Sequence, residues 1–190
     1  MSSPVIRHIT PTFAIMLCAS ASALLLAGAH LFERVYGLPP CALCLDQREA
    51  HWAGLAAGAL SFLVIVRVFA DRGIAAALGV LTLIYLFSAS LAGFHAGVEW
   101  GFWPGPAECA SGVAQGLASS SELLNSLTKP APAPSCSEAA WRMLGLSMAG
   151  YNALISAGLA VIACLGCMQM VQGLRQERLL TPSTLSGEFR

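Results

Sequence analysis

Pro39-Pro40-Cys41-Ala42-Leu43-Cys44-Leu45-Asp46-Gln47-Arg48 lies where one long apolar run has ended and another is about to begin. The adjacent prolines prevent a preceding helix from continuing, and Pro40 suits the first turn of the helix that follows. A helix starting near Cys41 or Leu43 places Cys44 in its first turn, where unpaired N–H groups and the helix dipole favour a thiolate. Arg48 stands four residues on and shares that face, so it either lowers the thiol pKa or holds the oxygen of an electron acceptor. Asp46 and Glu49 work against the thiolate and offer Arg48 an ion pair, which would make it a snorkelling interface residue. As a structural staple the pair is weak: a disulfide closing so short a loop contributes only about 2 kcal/mol, and tight bonds of this kind are labile. The dithiol reads as a redox device at the mouth of a membrane helix.

Working outward, the chain has 190 residues, of which 56% are hydrophobic and 11% charged, against about 25% charged in soluble domains. Uncharged runs cover Ile9–Phe32, Ala50–Val66, Gly73–Phe94 and Met143–Leu174. Each meets the roughly 17–25 residues that a helix needs to cross a bilayer, Ala50–Val66 only just. The first run is too long for the h-region of a signal peptide and reads as a retained helix. The expected fold is therefore an all-α membrane protein, a four-transmembrane-helix bundle forming a single membrane domain over 1–190. Its spans are expected at about 12–32, 49–69, 73–94 and 147–170, with outer loops at about 33–48 and 95–146. Segments 1–11, 70–72 and 171–190 then lie on the opposite side.

A net charge of zero suggests no nucleic-acid partner. Sidedness is more informative. The termini and the short turn carry Arg7, Arg67, Arg72, Arg175, Arg178 and Arg190, while the opposite side carries Arg34, Arg48, Lys129 and Arg142 over a longer stretch. The positive-inside rule makes the first set cytoplasmic, so the dithiol and both large loops face outward. Of the seven cysteines, Cys41, Cys44, Cys109 and Cys136 then lie in or beside the outer loops. An even number in an oxidising compartment is a disulfide signature. Zinc is the competitor, but its sites usually bring two paired knuckles, and Cys109 and Cys136 stand alone; no metal is expected.

The rest of the chain adds detail. Cys18 lies among small residues that permit close helix packing. His95 and Glu99 share a helix face at the outer interface beside Trp100 and Trp103 of the aromatic belt, and ionisable groups at that depth are functional candidates. In the second outer loop, Ser120–Leu127 has leucines at helical spacing after serines able to cap, which predicts a short interfacial helix. Ala131–Pro134 is an extended Pro-Ala run leading to Cys136. Cys164 and Cys167 form a second C-x-x-C near the cytoplasmic end of the last span and read as packing residues.

Four spans, an outer Pro-Cys-x-x-Cys-x-x-x-Arg, and a second outer loop with two separated cysteines followed by Trp141 and Leu144-Gly145-Leu146 resemble the bacterial disulfide bond formation protein B family. The likeness runs from about Thr12 to Gln172 and is most specific at Pro40–Cys44 with Gln47-Arg48, then at His95–Glu99 running into Pro106 and Cys109. It implies a thiol:quinone oxidoreductase of the bacterial inner membrane, with both termini cytoplasmic. Electrons would pass from a DsbA-like thioredoxin-fold oxidant in the periplasm to a membrane quinone, ubiquinone or menaquinone. By the same resemblance Cys109 would form the mixed disulfide with the partner and Cys136 would complete the outer pair. Cys41 would exchange with that pair and Cys44 would face the quinone. Arg48 would polarise the quinone oxygen, with Gln47 and His95 near the same pocket. Cys164 and Cys167 depart from the usual pattern and raise an intramembrane dithiol of the kind found in vitamin K epoxide reductases. The chemistry is self-consistent, because thiolate attack relays oxidising equivalents between pairs without a metal. A DsbA-like partner near about −120 mV needs a strong acceptor, which a quinone supplies.

Two rival readings remain at this level. His30, His51 and His95 fall near outer helix ends and would ligate a b-type haem. Alternatively the protein is a non-catalytic membrane protein stapled by Cys109–Cys136, whose loop of about 28 residues is worth roughly 3.5 kcal/mol.

Overall fold

The computed structural model describes residues 10–68, 71–110 and 134–180. Four long helices dominate: α1 Pro11–Arg34, α2 Ala42–Val68, α3 Asp71–Glu99 and α5 Met148–Leu180. A single turn, α4 Ala107–Ala110, and a two-residue-per-strand hairpin, β1 Arg142–Met143 with β2 Leu146–Ser147, complete the described elements. The expected interfacial helix at Ser120–Leu127 and most of the Pro-Ala run lie outside the described residues.

Local chemistry sets the helix ends. Thr10 caps α1 through a hydroxyl that accepts from the Phe13 N–H at 3.3 Å, with Pro11 in the first turn. α2 begins directly after Pro39-Pro40-Cys41, so Cys44, Gln47 and Arg48 are helical although they precede the apolar run. α3 continues to Glu99, so His95 and Glu99 both lie on it, one turn apart. The last span starts at Met148 because the residues before it turn back. Leu144 (φ 50°) and Gly145 (φ 83°) are both left-handed, as a two-residue hairpin turn of matching twist requires. This hairpin was not expected from the sequence, where Leu-Gly lacks the usual Asn-Gly signal. Ser147 then caps α5, its hydroxyl accepting from the Gly150 N–H at 3.1 Å.

The helices pack through small residues. α3 lies along α5, and α2 bridges α1 and α3. A methyl added at Gly58 would meet Ala19 Cβ at 2.8 Å, so α1 and α2 approach closely only because one residue has no side chain. The core gathers Ile15, Cys18, Leu78, Leu81, Tyr85 and Ala163. Outside it the surface is apolar: Leu24, Leu83 and Phe87 are 73%, 69% and 63% exposed. So many exposed large apolar side chains suit hydrocarbon rather than water. α1, α3 and α5 are long and apolar enough to cross a membrane.

Candidate functional site

The site is assembled at the end of the bundle where α2 begins and α3 ends, starting from the dithiol. Cys41 ends the extended Pro39-Pro40 segment and acts as the N-terminal cap of α2, its sulfur accepting from the Cys44 N–H at 3.3 Å. One turn of helix brings the two sulfurs to 2.7 Å. Cys41 is 5% exposed. Hydrogen bonding from Cys41 holds the Cys44 thiol below its ordinary range, despite burial, while the same contact and burial push Cys41 up. Of the two, Cys44 is the sulfur that ionises first.

Cys109 and Cys136 are joined in a disulfide with a Cα–Cα distance of 5.1 Å. It is buried against the dithiol, in one apolar cluster with Cys41, Leu43 and Val98. The Cys41 sulfur, the Cys136 sulfur and a ring nitrogen of His95 all lie within 4.8 Å of one another. One sulfur of α2 is therefore within a short movement of both potential partners, Cys44 on one side and Cys136 on the other.

Behind Cys41 stands a buried polar row. His95 Nε2 is 3.7 Å from Cys41 Sγ and 3.8 Å from Glu99 Oε1. Its Nδ1 meets Gln47 Nε2 at 2.7 Å. The Gln47 amide is oriented by Leu43, whose carbonyl accepts from Nε2 at 3.1 Å, and by Asn152, whose Nδ2 donates to Oε1 at 2.7 Å. An amide nitrogen donates, so Nδ1 of His95 accepts and Nε2 carries the proton, aimed at Cys41 and Glu99.

Arg48 is tied to α1. Its Nη1 pairs with Glu33 Oε2 and its Nη2 donates to the Ala29 carbonyl at 3.3 Å. The sequence offered Asp46 and Glu49 as partners; the carboxylate that reaches the guanidinium comes from another helix. The next group down α2, His51, has both nitrogens engaged, by Ser22 Oγ at 3.2 Å and Asn152 Oδ1 at 2.7 Å. His30 contacts Glu33 at 3.8 Å. With His51 closed on both sides and His95 committed to Gln47, this trio is not a pair of open axial ligands for haem.

Cys44, Gln47, Arg48, His51, His95 and Asn152 line a cavity of about 360 Å³ with otherwise largely apolar walls. That volume falls in the range of small-molecule sites, and an apolar slot ending in a thiol, a guanidinium and amides matches a flat ring with oxygen at its edge and a hydrocarbon tail. The residues present thus fit a quinone headgroup. Cys164 and Cys167 are elsewhere: Cys164 lies about 18 Å along α5 from Asn152, and Cys167 donates to the Ala75 carbonyl at 3.4 Å.

A family model described as disulfide bond formation protein DsbB matches residues 11–166. The chain belongs to the DsbB family. Proteins of this family are membrane proteins that re-oxidise DsbA and pass the electrons to quinone, and this DsbB-family chain is accordingly a membrane oxidoreductase of disulfide bond formation. It is also similar to the uncharacterized protein RP370 of Rickettsia prowazekii, with 26% identity over 148 residues, 74% of this chain and 78% of that protein. No solved structure matches it. The family decides against the haem and staple readings.

Asn152, Glu33 and the hairpin residues were missed by reading the sequence. Asn152 had one available signal, as an amide in an otherwise apolar span.

Proposed function

We propose that this protein re-oxidises a DsbA-like dithiol at its periplasmic face in a bacterial inner membrane, with both termini cytoplasmic, through the residues gathered at the outer rim. The partner's thiolate attacks the Cys109–Cys136 disulfide at Cys109, forming a mixed disulfide and releasing Cys136. The partner's second thiol then displaces Cys109, so the partner leaves oxidised and the outer pair is reduced. The Cys136 thiolate attacks Cys41 of a Cys41–Cys44 disulfide and releases Cys44. Cys109 next displaces Cys41 from Cys136, which restores the outer disulfide and leaves the α2 pair as a dithiol. Each exchange breaks one S–S bond and forms another, so the electron pair moves inward with no metal. Closure of the Cys41–Cys44 disulfide then releases two electrons and two protons to a quinone, which supplies the oxidising power.

The residues around the dithiol divide the work. Cys44, the sulfur that ionises, faces the cavity. The His95 Nε2–H donates toward Cys41 and supports negative charge there as it leaves a disulfide. Gln47 holds His95 in that tautomer. Arg48, fixed by Glu33 and Ala29, lines the cavity and would offer its remaining N–H groups to a ring oxygen bound there.

The observation that carries this reading is the placement of Cys41 Sγ between Cys44 Sγ at 2.7 Å and the Cys136 sulfur within 4.8 Å. The test mixes purified protein, a short-chain ubiquinone or menaquinone and a reduced DsbA-like protein, and follows quinone absorbance. Wild type consumes one quinone per partner disulfide and Cys44→Ser consumes none; a wild type that consumes none of either quinone refutes the proposal.

A further inference from the structure

Below the dithiol the polar row continues into the bundle, past anything that disulfide exchange uses. Asn152 Oδ1 meets His51 Nε2 at 2.7 Å, and His51 Nδ1 meets Ser22 Oγ at 3.2 Å. Ser22 Oγ meets the Tyr85 hydroxyl at 2.9 Å, and Tyr85 Oη approaches the Cys18 carbonyl at 2.8 Å. All four long helices contribute. Ser22 and Tyr85 are fully buried and His51 is 4% exposed.

The direction of each bond can be worked out from one end. The Leu43 carbonyl only accepts, so Gln47 gives it Nε2 and turns Oε1 to Asn152. Asn152 therefore gives Nδ2 to Gln47 and Oδ1 to His51. Because an amide oxygen only accepts, His51 Nε2 carries a proton. Three contacts remain, His51 to Ser22, Ser22 to Tyr85 and Tyr85 to Cys18, and a neutral His51 leaves two hydroxyl protons to fill them. Rotating the hydroxyls moves the gap without closing it. If Ser22 donates to His51 and Tyr85 to Ser22, the Cys18 carbonyl faces a bare oxygen. A proton on His51 Nδ1 completes the set, with His51 donating to Ser22, Ser22 to Tyr85 and Tyr85 to Cys18.

We propose that His51 is the proton acceptor coupled to quinone reduction, storing on Nδ1 one of the two protons of the Cys41–Cys44 dithiol. The inference rests on the thiol:quinone reading above and extends it by naming the group that carries the compensating charge. His51 follows Cys44 by seven residues and Arg48 by three, and all three line the same cavity. Putting an electron pair into a low-dielectric slot is costly unless positive charge arrives with it. The balance closes: the dithiol gives two electrons and two protons, and the quinone takes two of each. Cys41 keeps its proton until the disulfide forms and then yields it to the ring, while the proton shed by Cys44 crosses the cavity that both groups line and waits on His51. The stored proton returns to the reduced ring, and Ser22 and Tyr85 rotate back. The titratable or charged groups around His51 are Tyr85 of α3, Cys18 of α1, and Cys44 and Arg48 of its own helix. α5 presents Asn152 and Ser156, which do not titrate in this range.

The test reads the proton directly. Full-length protein with ¹⁵N-labelled histidine is reduced at both pairs in quinone-free nanodiscs at neutral pH, and His51 is assigned by the signal lost in His51→Gln. Imidazolium at His51 in the wild type, turning neutral in Cys44→Ala, supports the proposal; a neutral His51 in the reduced wild type overturns it. In single-turnover quinone reduction His51→Gln is expected to be about 100-fold slower, and a rate within about 3-fold of wild type overturns the coupling. Should His51→Gln not fold, Tyr85→Phe serves. It lets Ser22 donate to a neutral His51 with every contact filled, so His51 is expected to lose its imidazolium signal; persistence of that signal overturns the proposal. A wild type that shows the stored proton but reduces no quinone refutes the quinone reading and overturns the coupling with it, whereas quinone reduction with a neutral His51 overturns the coupling alone.

Discussion

Asn152 Nδ2 donates to Gln47 Oε1 at 2.7 Å, a bond between two helices far apart in sequence that braces the amide whose nitrogen, fixed by the Leu43 carbonyl, donates to His95. It holds the Gln47 amide in one orientation, and the amide holds the imidazole. The dithiol therefore sits in front of a donor whose direction is set within α2 and supported from across the bundle.

Replacing Asn152 by Leu leaves the buried Gln47 carbonyl without a donor, at a cost of about 1–3 kcal/mol. Gln47 then keeps only the Leu43 carbonyl to orient it, and the His95 tautomer is held less firmly. Chemical denaturation in detergent should report the loss of stability. Stopped-flow exchange between the outer disulfide and the α2 pair should slow by about 10-fold, the worth of one good hydrogen bond.

The lowered pKa of Cys44 is owed first to the hydrogen bond from Cys41. A thiol with a lowered pKa keeps its thiolate as the pH falls below the ordinary thiol range of about 8.5. Alkylation of the reduced Cys109→Ala/Cys136→Ala protein should therefore continue at Cys44 below that pH. Adding Cys41→Ala removes the hydrogen bond, and the alkylation profile of Cys44 should move to higher pH. An unmoved profile would show that the helix terminus, not Cys41, sets the acidity.

Gly97 lies beneath the indole of Trp103, where a methyl group would overlap the ring. Trp103 is held there by Phe94, with rings stacked at 5.8 Å and the indole N–H donating to the Phe94 carbonyl at 3.0 Å. Gly97→Ala should displace the indole and with it the chain that leads to Cys109. A loss of about 1–3 kcal/mol is expected from the overpacking, and a melting curve followed by tryptophan fluorescence would measure it. Gly93→Ala, on the same helix with open space at its Cβ, provides the comparison and should be close to neutral.

Glu33→Gln should act on Arg48 and leave the thiols alone. The amide keeps one acceptor but loses the charge that anchors the guanidinium to α1. Arg48 then adopts several positions, so the KM for a short-chain quinone should rise about 3- to 10-fold, as expected when one charge-assisted hydrogen bond is weakened. Partner-driven reduction of the outer disulfide should proceed at the wild-type rate. Initial rates over a quinone titration, beside a thiol-trapping time course, separate the two effects.

Much of this protein was legible along the chain. The apolar runs marked the membrane helices because hydrocarbon demands length and lack of charge, both of which are local properties. Pro39-Pro40 marked the start of α2, and the two-residue spacing of Cys41 and Cys44 marked a reactive pair, since one helical turn settles that distance. The hairpin at Leu144-Gly145 escaped because its left-handed turn uses a leucine, against local preference, where the fold requires it.

What only the tertiary structure decided are the contacts between helices. No local pattern matches Arg48 to Glu33 in preference to Asp46 or Glu49, or joins Gln47 to Asn152 across 105 positions. His51 reads as a ligand or a packing residue until its neighbours from three other helices are in place. A buried hydrogen bond depends on which faces meet and at what register, and that is a property of the packed bundle rather than of any one stretch of chain.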